Sequence, residues 1–192
     1  MCSPDPSPEP WIGVVLAGGR SRRMGRDKAL LDFHGRPLLA HQCEVLRAAG
    51  AARVVISGDR PEWEGIPDAM PDRGPLGGVA AVMAACPGER LLFIAVDMPR
   101  LPPDLLMQLA RDASNDAAAR FAGQPLPLCL RATPEALAQT QALIDGAPPY
   151  SLQRLAAVLE AREVPLAAAC QYHLFNANTP SDWAEVIHET AD

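Results

Sequence analysis

The sequence predicts an α/β fold, a three-layer sandwich in which a mostly parallel sheet is flanked by helices. Short apolar runs alternate along the chain with longer segments that begin at a proline, which is typical of strands alternating with helices. The apolar runs show no alternation of polar and apolar residues. Such strands are typical of a parallel sheet that is covered on both faces.

The first half of the chain contains three predicted strands and two predicted helices. The strands correspond to residues 11–17, 52–57 and 91–96, and each run is followed at once by a glycine or an aspartate. The helices correspond to residues 37–49 and 75–86, and both begin at a proline, which is favoured in the first turn of a helix.

The second half has weaker patterns. A helix starts at Pro102 or Pro103 and runs to about residue 112. Two candidate strands, at residues 117–121 and 126–130, then form a possible hairpin across Gly123. The remaining predicted elements are helices at 134–144 and 151–161, short strands at 163–165 and 172–175, and a closing helix at 180–189 with Thr179 near its cap.

Length and charge limit the classes of protein. The 192 residues suffice for one domain with a substantial core, assigned to residues 11–192, and residues 1–10 are predicted to be a disordered leader rather than a signal peptide. The formal net charge of −6 argues against a nucleic-acid binder. No apolar run approaches the roughly 20 residues that span a bilayer, so no membrane partner is expected.

The cysteines are scattered along the chain at positions 2, 43, 86, 129 and 170. None of them forms a Cys-x-x-Cys pair, so neither a disulfide framework nor a zinc site is expected. Free thiols of this kind are typical of a cytoplasmic protein.

The most informative segment is the loop from Gly18 to Lys28, which follows the first predicted strand. Adjacent glycines let the backbone approach a ligand, and the arginines and the lysine place positive charge in an otherwise acidic chain. The spacing excludes both the Walker A motif and the dinucleotide fingerprint. The loop is therefore predicted to hold a nucleoside triphosphate, with backbone amides near residues 17–20 on the ligand and with Arg23 and Lys28 neutralising phosphate charge.

Asp97 follows the most apolar predicted strand and precedes Met98-Pro99. A carboxylate at the end of a central strand is costly to desolvate without a counter-ion, and Mg²⁺ prefers one or two carboxylates together with phosphate oxygens. Asp97 is therefore a candidate metal ligand; the alternative is that it caps the turn before Pro99. Because parallel strands share one edge of the sheet, we expect residues 18, 57, 72 and 97 to gather there.

The order Leu-Ala-Gly-Gly-x-x-Arg-Arg-Met-Gly-x-Asp-Lys at residues 16–28 resembles the signature loop of nucleotidyltransferases with a Rossmann-like sheet. Residues 74–78 (Gly-Pro-Leu-Gly-Gly), 97–99 (Asp-Met-Pro) and 176–180 (Asn-Ala-Asn-Thr-Pro) extend the likeness over nearly the whole chain after residue 11. The closest resemblance is to the molybdenum cofactor guanylyltransferases. It implies a fold like that of nucleotide-diphospho-sugar transferases, Mg²⁺ as the cofactor, and GTP and molybdopterin as substrates.

The resemblance also implies roles for individual residues. The residues implied to contact the nucleotide are Leu16, Ala17, Gly18, Gly19, Lys28, Ser57, Asp72, Gly77 and Asp97. The residues implied to act in catalysis are Arg23, Lys28 and Asp97, with Asp97 as the metal ligand, and those implied to lie near the pterin are Asn176 and Asn178. From the residues alone, Asp72 is equally well explained as a turn residue, and the two asparagines are better explained by turn chemistry and a helix cap.

Two positions depart from the resembled family. Ser57 stands where that family usually has an asparagine, and Gln124-Pro125 stands where it often has His-Pro, in a stretch (residues 123–165) that faces the second substrate. A serine can still donate and accept a hydrogen bond.

The reaction implied by the resemblance is attack of the terminal phosphate of molybdopterin on the α-phosphorus of GTP, with release of pyrophosphate. One alternative is a cytidylyltransferase, although those enzymes usually carry Leu-Ala-Ala-Gly where this chain has Leu-Ala-Gly-Gly. The other is a nucleotide-binding adaptor without catalysis. We expect a monomer that makes transient contacts with cofactor-biosynthesis or acceptor proteins.

Overall fold

The computed structural model describes residues 9–18, 27–68, 70, 73–114 and 116–189. The strands are β1 (Ile12–Leu16), β2 (Asp32–Phe33), β3 (Arg36–Pro37), β4 (Arg53–Ser57), β5 (Arg90–Ala95), β6 (Ala118–Phe121), β7 (Leu128–Arg131) and β8 (Arg162–Val164). The helices are α1 (Leu38–Ala48), α2 (Pro75–Ala85), α3 (Pro103–Asp112), α4 (Pro134–Asp145), α5 (Leu152–Val158) and α6 (Pro180–Glu189). Short 3₁₀ helices cover Lys28–Leu30, Pro61–Trp63 and Ala168–Leu174.

The central sheet has the strand order β4-β1-β5-β7-β6-β8. β1 pairs in parallel with β4 on one side and with β5 on the other. β7 is antiparallel to both of its neighbours, and β8 is again parallel to β6. The prediction of a mostly parallel sheet is confirmed, and the hairpin suggested across Gly123 is the β6–β7 pair.

Helices cover both faces of this sheet. α1 contacts β1 and β4 and packs against α3, whereas α2 contacts the same two strands and packs against α4 and α5. The two groups of helices form the outer layers of the predicted sandwich. Among the described residues, no helix combines the length and apolar content that a membrane span requires.

The middle of β5 lies at the centre of the core. Leu91, Leu92, Phe93 and Ile94 have no exposed surface, which explains why this run has no polar residue on either face. α1 and α2 contact the adjacent strand β1, and the alternating side chains of β5 are buried on both faces of the same sheet.

The register of the sheet brings three strand ends together. Leu16 is paired with Ser57 of β4 and with Ala95 of β5. Backbone hydrogen bonds continue beyond the strands, from Ala17 N to Ser57 O (2.9 Å) and from Val96 N to Leu16 O (3.2 Å). The loops that follow β1, β4 and β5 therefore leave the sheet at the same edge, as predicted.

The strand predicted at residues 172–175 is wrong, because the chain forms a 3₁₀ helix there from Ala168 to Leu174. The aromatic residues that suggested a strand instead pack on Arg100. Its guanidinium carbon lies 4.4 Å from the ring centre of Phe175 and 5.4 Å from that of Tyr172. These contacts between distant segments override the local preference of aromatic residues for strands.

Replacing Phe93 with alanine is expected to lower the free energy of unfolding by about 3–5 kcal/mol, because it leaves a cavity in the core. Urea unfolding followed by circular dichroism measures this change. The control is Val158→Ala, which truncates a side chain that is 40% exposed and should change the free energy by no more than about 0.5 kcal/mol. Equal losses in the two variants would contradict the packing of β5.

Candidate active site

A cleft of about 700 Å³ lies at the edge of the sheet where β1 and β4 end. It is of a size typical of small-molecule sites, and much of its wall is backbone or apolar surface. The residues lining it include Leu16, Ala17, Gly18, Ser57, Gly58, Arg60, Asp68, Gly74, Pro75 and Gly78.

Glycines make room for this cleft at two places. Gly58 has a φ of +134°, and a Cβ at that position would lie 2.9 Å from the backbone nitrogen of Gly18, so a side chain would separate the loops that follow β1 and β4. Gly78 of α2 lies against the hydroxyl of Ser57, which is 2% exposed, and a Cβ there would overlap that hydroxyl. The wall of the cleft is therefore formed by closely approaching backbone.

Lys28 joins three segments that are far apart in the sequence. Its Nζ lies 2.7 Å from Oδ2 of Asp97 and donates a hydrogen bond of 3.0 Å to Oδ1 of Asn178. The Lys28 and Asp97 side chains are only 14% and 18% exposed. Lys28 is also the one lysine of a sequence in which every other Lys/Arg position is arginine. This position therefore uses a compact ammonium rather than a guanidinium fork.

The turn that carries Asp97 is held from two sides. The buried side chain of Gln42 in α1 donates to Met98 O at 2.8 Å and to Val96 O at 3.4 Å. On the other side, Ala177 N donates to Asp97 O at 2.8 Å. The backbone that carries the carboxylate is thus held from both sides, by Gln42 and by Ala177.

Asn178 is positioned by the start of α6. Asp182 Oδ2 accepts hydrogen bonds of 2.8 Å from Asn178 N and from Thr179 N, while Thr179 Oγ1 accepts from Asp182 N at 3.1 Å. This reciprocal pattern satisfies backbone groups at the start of the helix. The N–H groups of Thr179 and Asn178 favour the carboxylate form and lower the pKa of Asp182.

The structure brings together most of the sequence-predicted site residues that it describes. Leu16, Ala17, Gly18 and Ser57 line the cleft. Lys28, Asp97 and Asn178 do not line it but form a polar cluster next to Arg60, which lines the cleft and pairs with Asp27, the residue before Lys28. Gly19, Arg23 and Asp72 lie outside the described residues. The other two placements differ from the expectation.

Gly77 does not line the cleft, which is lined instead by its neighbour Gly78. Successive residues of a helix point in different directions, and Gly77 lies against the carboxylate of Asp68. The side chain of Asn176 donates to Leu174 O at 3.3 Å, so it caps its own turn, while Asn178 reaches Lys28.

Sequence reasoning missed Asp68, Arg60 and Gln42. Asp68 lines the cleft, yet it lies in the same proline-rich loop as Asp72, and no sequence signal distinguishes the two acids. Arg60 lies in a loop rich in charged residues, so nothing in the sequence distinguishes it from an ordinary surface arginine. Gln42 is a polar residue on the buried, otherwise apolar side of helix α1. A polar residue at such a position indicates a buried hydrogen bond, and this was the available sequence signal.

The polar cluster fits a hard divalent cation. No group of three or more His, Cys, Asp or Glu side chains among the described residues could hold a metal by itself. However, Asp97 and Asn178 offer oxygen atoms that already share the positive charge of Lys28. Oxygen donors of this kind suit Mg²⁺, which usually completes its coordination with substrate phosphates and water.

Residues 13–170 match the family model described as the MobA-like NTP transferase domain. The chain belongs to this family. A molybdenum cofactor guanylyltransferase from Xanthomonas euvesicatoria is 46% identical over 185 residues, which cover 95% of this chain and 97% of the relative. A probable molybdenum cofactor guanylyltransferase from Pelotomaculum thermopropionicum is 36% identical over 88% of both chains. The resemblance inferred from the sequence is confirmed, and the chain is a nucleotidyltransferase.

Solved structures show the same fold. A nucleotidyl transferase from Methanothermobacter thermautotrophicus superimposes with a TM-score of 0.73 at 18% identity, covering 94% of this chain and 97% of the other. A molybdopterin-guanine dinucleotide biosynthesis protein A from Archaeoglobus fulgidus gives 0.70 at 21% identity, covering 94% and 98%.

Replacing Gln42 with leucine is expected to lower the free energy of unfolding by about 1 kcal/mol, because Met98 O loses its buried donor. The matched control is Gln108→Leu, which changes an exposed glutamine of α3 and should alter the free energy by no more than about 0.5 kcal/mol. Urea unfolding measures both. If Gln42→Leu matches the control, the side chain does not hold the Asp97 turn.

Proposed function

We propose that this chain is a molybdenum cofactor guanylyltransferase, which transfers GMP from GTP to the terminal phosphate of molybdopterin and releases pyrophosphate. The observation that carries the proposal is the polar cluster of Lys28, Asp97 and Asn178 beside a nucleotide-sized cleft. The relative from Xanthomonas euvesicatoria that bears this activity in its name is 46% identical over nearly the whole chain.

The reaction does not require a general base from the protein. A phosphate oxygen of molybdopterin, already ionised at neutral pH, forms a bond to the α-phosphorus of GTP. The bond from that phosphorus to the bridging oxygen breaks, and the electron pair leaves with pyrophosphate. Catalysis in such transfers depends on alignment and on neutralising the charge of the phosphates.

The residues around the cleft suit these tasks. The backbone of Leu16 to Gly18 lines the cleft and can contact the nucleotide without obstruction by side chains. Lys28 is the cation of the polar cluster, and its ammonium would transfer from Asp97 to the triphosphate when the nucleotide binds. Arg23, which lies in the same signature loop of the sequence, would supply a second positive charge.

Asp97 would hold Mg²⁺ with the nucleotide, and the metal would supply positive charge that offsets the negative charge on the triphosphate. Lys28 would then be free to contact phosphate oxygens, because Asp97 retains a counter-ion. Asn178, and Asn176 beside it, would face the second substrate from the segment that precedes α6.

Asp68 offers a reason for a preference for guanine. An ionised carboxylate only accepts hydrogen bonds, and guanine presents two adjacent donors, N1–H and the 2-amino group. Cytosine presents an acceptor, N3, beside its amino group, so the same carboxylate would repel it. Ser57, which can both donate and accept, lines the same cleft.

Lys28→Ala and Asp97→Ala are each expected to lower kcat roughly 10²–10³-fold, because each removes a charge contact to the reacting phosphates. Lys28→Arg should retain part of the activity, since the charge remains but the shape of the cation changes. The control is Asp104→Ala, which changes an exposed acid in the first turn of α3. Pyrophosphate release measures turnover, and near-normal rates in Lys28→Ala or Asp97→Ala would contradict the mechanism.

Pyrophosphate release with molybdopterin as acceptor tests the function itself. GTP is expected to be used with kcat/KM on the order of 10⁴ above that for CTP, as for a site that pairs with donors of its substrate. Asp68→Asn should reduce this preference, and the exposed control Asp32→Asn should leave it unchanged. Preference for CTP would make the chain a cytidylyltransferase, and nucleotide binding without pyrophosphate release would make it an adaptor.

A further inference from the structure

Arg60 connects the two ends of the signature loop. Its Nη2 donates to Ala17 O at 3.1 Å, immediately after β1, and to Asp27 Oδ1 at 2.7 Å, immediately before Lys28. Its Nη1 donates to the other carboxylate oxygen of Asp27, which makes the ion pair bidentate. One guanidinium thus contacts both the residue that precedes Gly18 and the residue that precedes Lys28.

The backbone of Arg60 is itself tightly held. Arg60 O accepts hydrogen bonds from Trp63 N at 3.0 Å and from Gly65 N at 2.9 Å. Gly58 N donates to Ile66 O at 2.8 Å, and a bridge between Ser57 and Ile66 closes the base of this loop. The guanidinium is therefore carried by a loop anchored to the end of β4.

The electrostatics of the pair favour a permanent contact. The side chain of Arg60 is 15% exposed. Its hydrogen bonds lower the pKa of Asp27, and the same carboxylate raises the pKa of Arg60, so both groups are charged near neutral pH. Asp27 Oδ1 also accepts from Ala29 N at 3.1 Å, which caps the 3₁₀ helix that begins with Lys28.

We propose that Arg60 is a positioning residue for the triphosphate: it fixes the distance between the backbone at Ala17 and Gly18 and the ammonium of Lys28, so that both address one ligand. This inference rests on the proposed function of the site. Nη1 and Nη2 each donate to a different oxygen of Asp27 while Nη2 also reaches Ala17 O, and the single nitrogen of a lysine lacks this two-pronged geometry.

The test compares Arg60→Met with the matched control Arg120→Met. Arg120 is 16% exposed, donates to Glu163 Oε1 at 2.8 Å and to Gln124 O at 3.0 Å, and so joins a carboxylate and a carbonyl as Arg60 does. Arg60→Met should weaken GTP binding and lower kcat by a combined factor of about 10², the cost of misplacing a contact group by about 1 Å. Arg120→Met should change neither by more than about twofold.

Rescue and coupling separate positioning from general stability. Arg60→Lys should keep most of the loss, since a lysine retains the charge without the fork. Asp27→Asn should cause a smaller loss, and the double variant Asp27→Asn/Arg60→Met should be no worse than Arg60→Met alone, because both act through one contact. Calorimetric titration with GTP, steady-state kinetics and urea unfolding are measured on every variant.

The outcomes distinguish the two proposals. If the unmodified protein binds GTP and turns over, but Arg60→Met matches Arg120→Met, the inference is overturned and the proposed function stands. Full activity in Arg60→Lys would also overturn it. If Arg60→Met does not fold, Arg60→Lys and the Asp27→Asn single variant decide the question. If the unmodified protein neither binds GTP nor releases pyrophosphate, the proposed function itself fails.

Discussion

The ion pair between Lys28 and Asp97 is the contact on which the arrangement of the candidate site depends. It joins the end of the signature loop to the end of β5, and Asn178 adds the segment before α6. Each segment has its own support, from Arg60 on Asp27, from Gln42 on the Asp97 turn, and from Asp182 on Asn178. The three segments are thus held in place independently of the Lys28–Asp97 contact, so that this pair can change partners without displacing the backbone that carries it.

The register of the parallel strands explains why these segments meet. β1 lies between β4 and β5, so the residues that follow each strand leave the sheet side by side. The loops after β1 and β4 approach closely at Gly18 and Gly58, where a Cβ on Gly58 would lie 2.9 Å from Gly18 N. Both glycines also line the cleft, where they present backbone rather than bulky side chains. Fold and site therefore depend on one packing constraint.

Much of this arrangement could be predicted from the sequence because its signals are local. Uninterrupted apolar runs predicted the parallel strands. The signature loop, Asp97 and the Asn-x-Asn segment predicted three site residues that do meet in space: Lys28, Asp97 and Asn178. Of the supporting residues, Gln42 gave a local signal, because it is a polar residue on the buried side of α1. Arg60 and Asp68 gave none: Arg60 acts through a partner 33 residues away and Asp68 through the shape of a cleft, and no local pattern encodes such contacts. The strand predicted at 172–175 was wrong for a similar reason, because the aromatic side chains of that segment pack on the distant Arg100.

Two neighbouring residues form ion pairs of opposite kinds, and the difference accounts for the choice of cation. Asp27 is held by an arginine through a bidentate pair that also includes Ala17 O, an arrangement that is costly to break because several hydrogen bonds would be lost together. Lys28 holds Asp97 through Oδ2, at 2.7 Å, and not through a bidentate fork. A partly buried pair of this kind contributes little net stability, because desolvation offsets the attraction, so the ammonium can exchange one anion for another at small cost. The bidentate pair fixes the loop before Lys28, and the Lys28–Asp97 pair leaves both groups able to take other partners, as the proposed function requires.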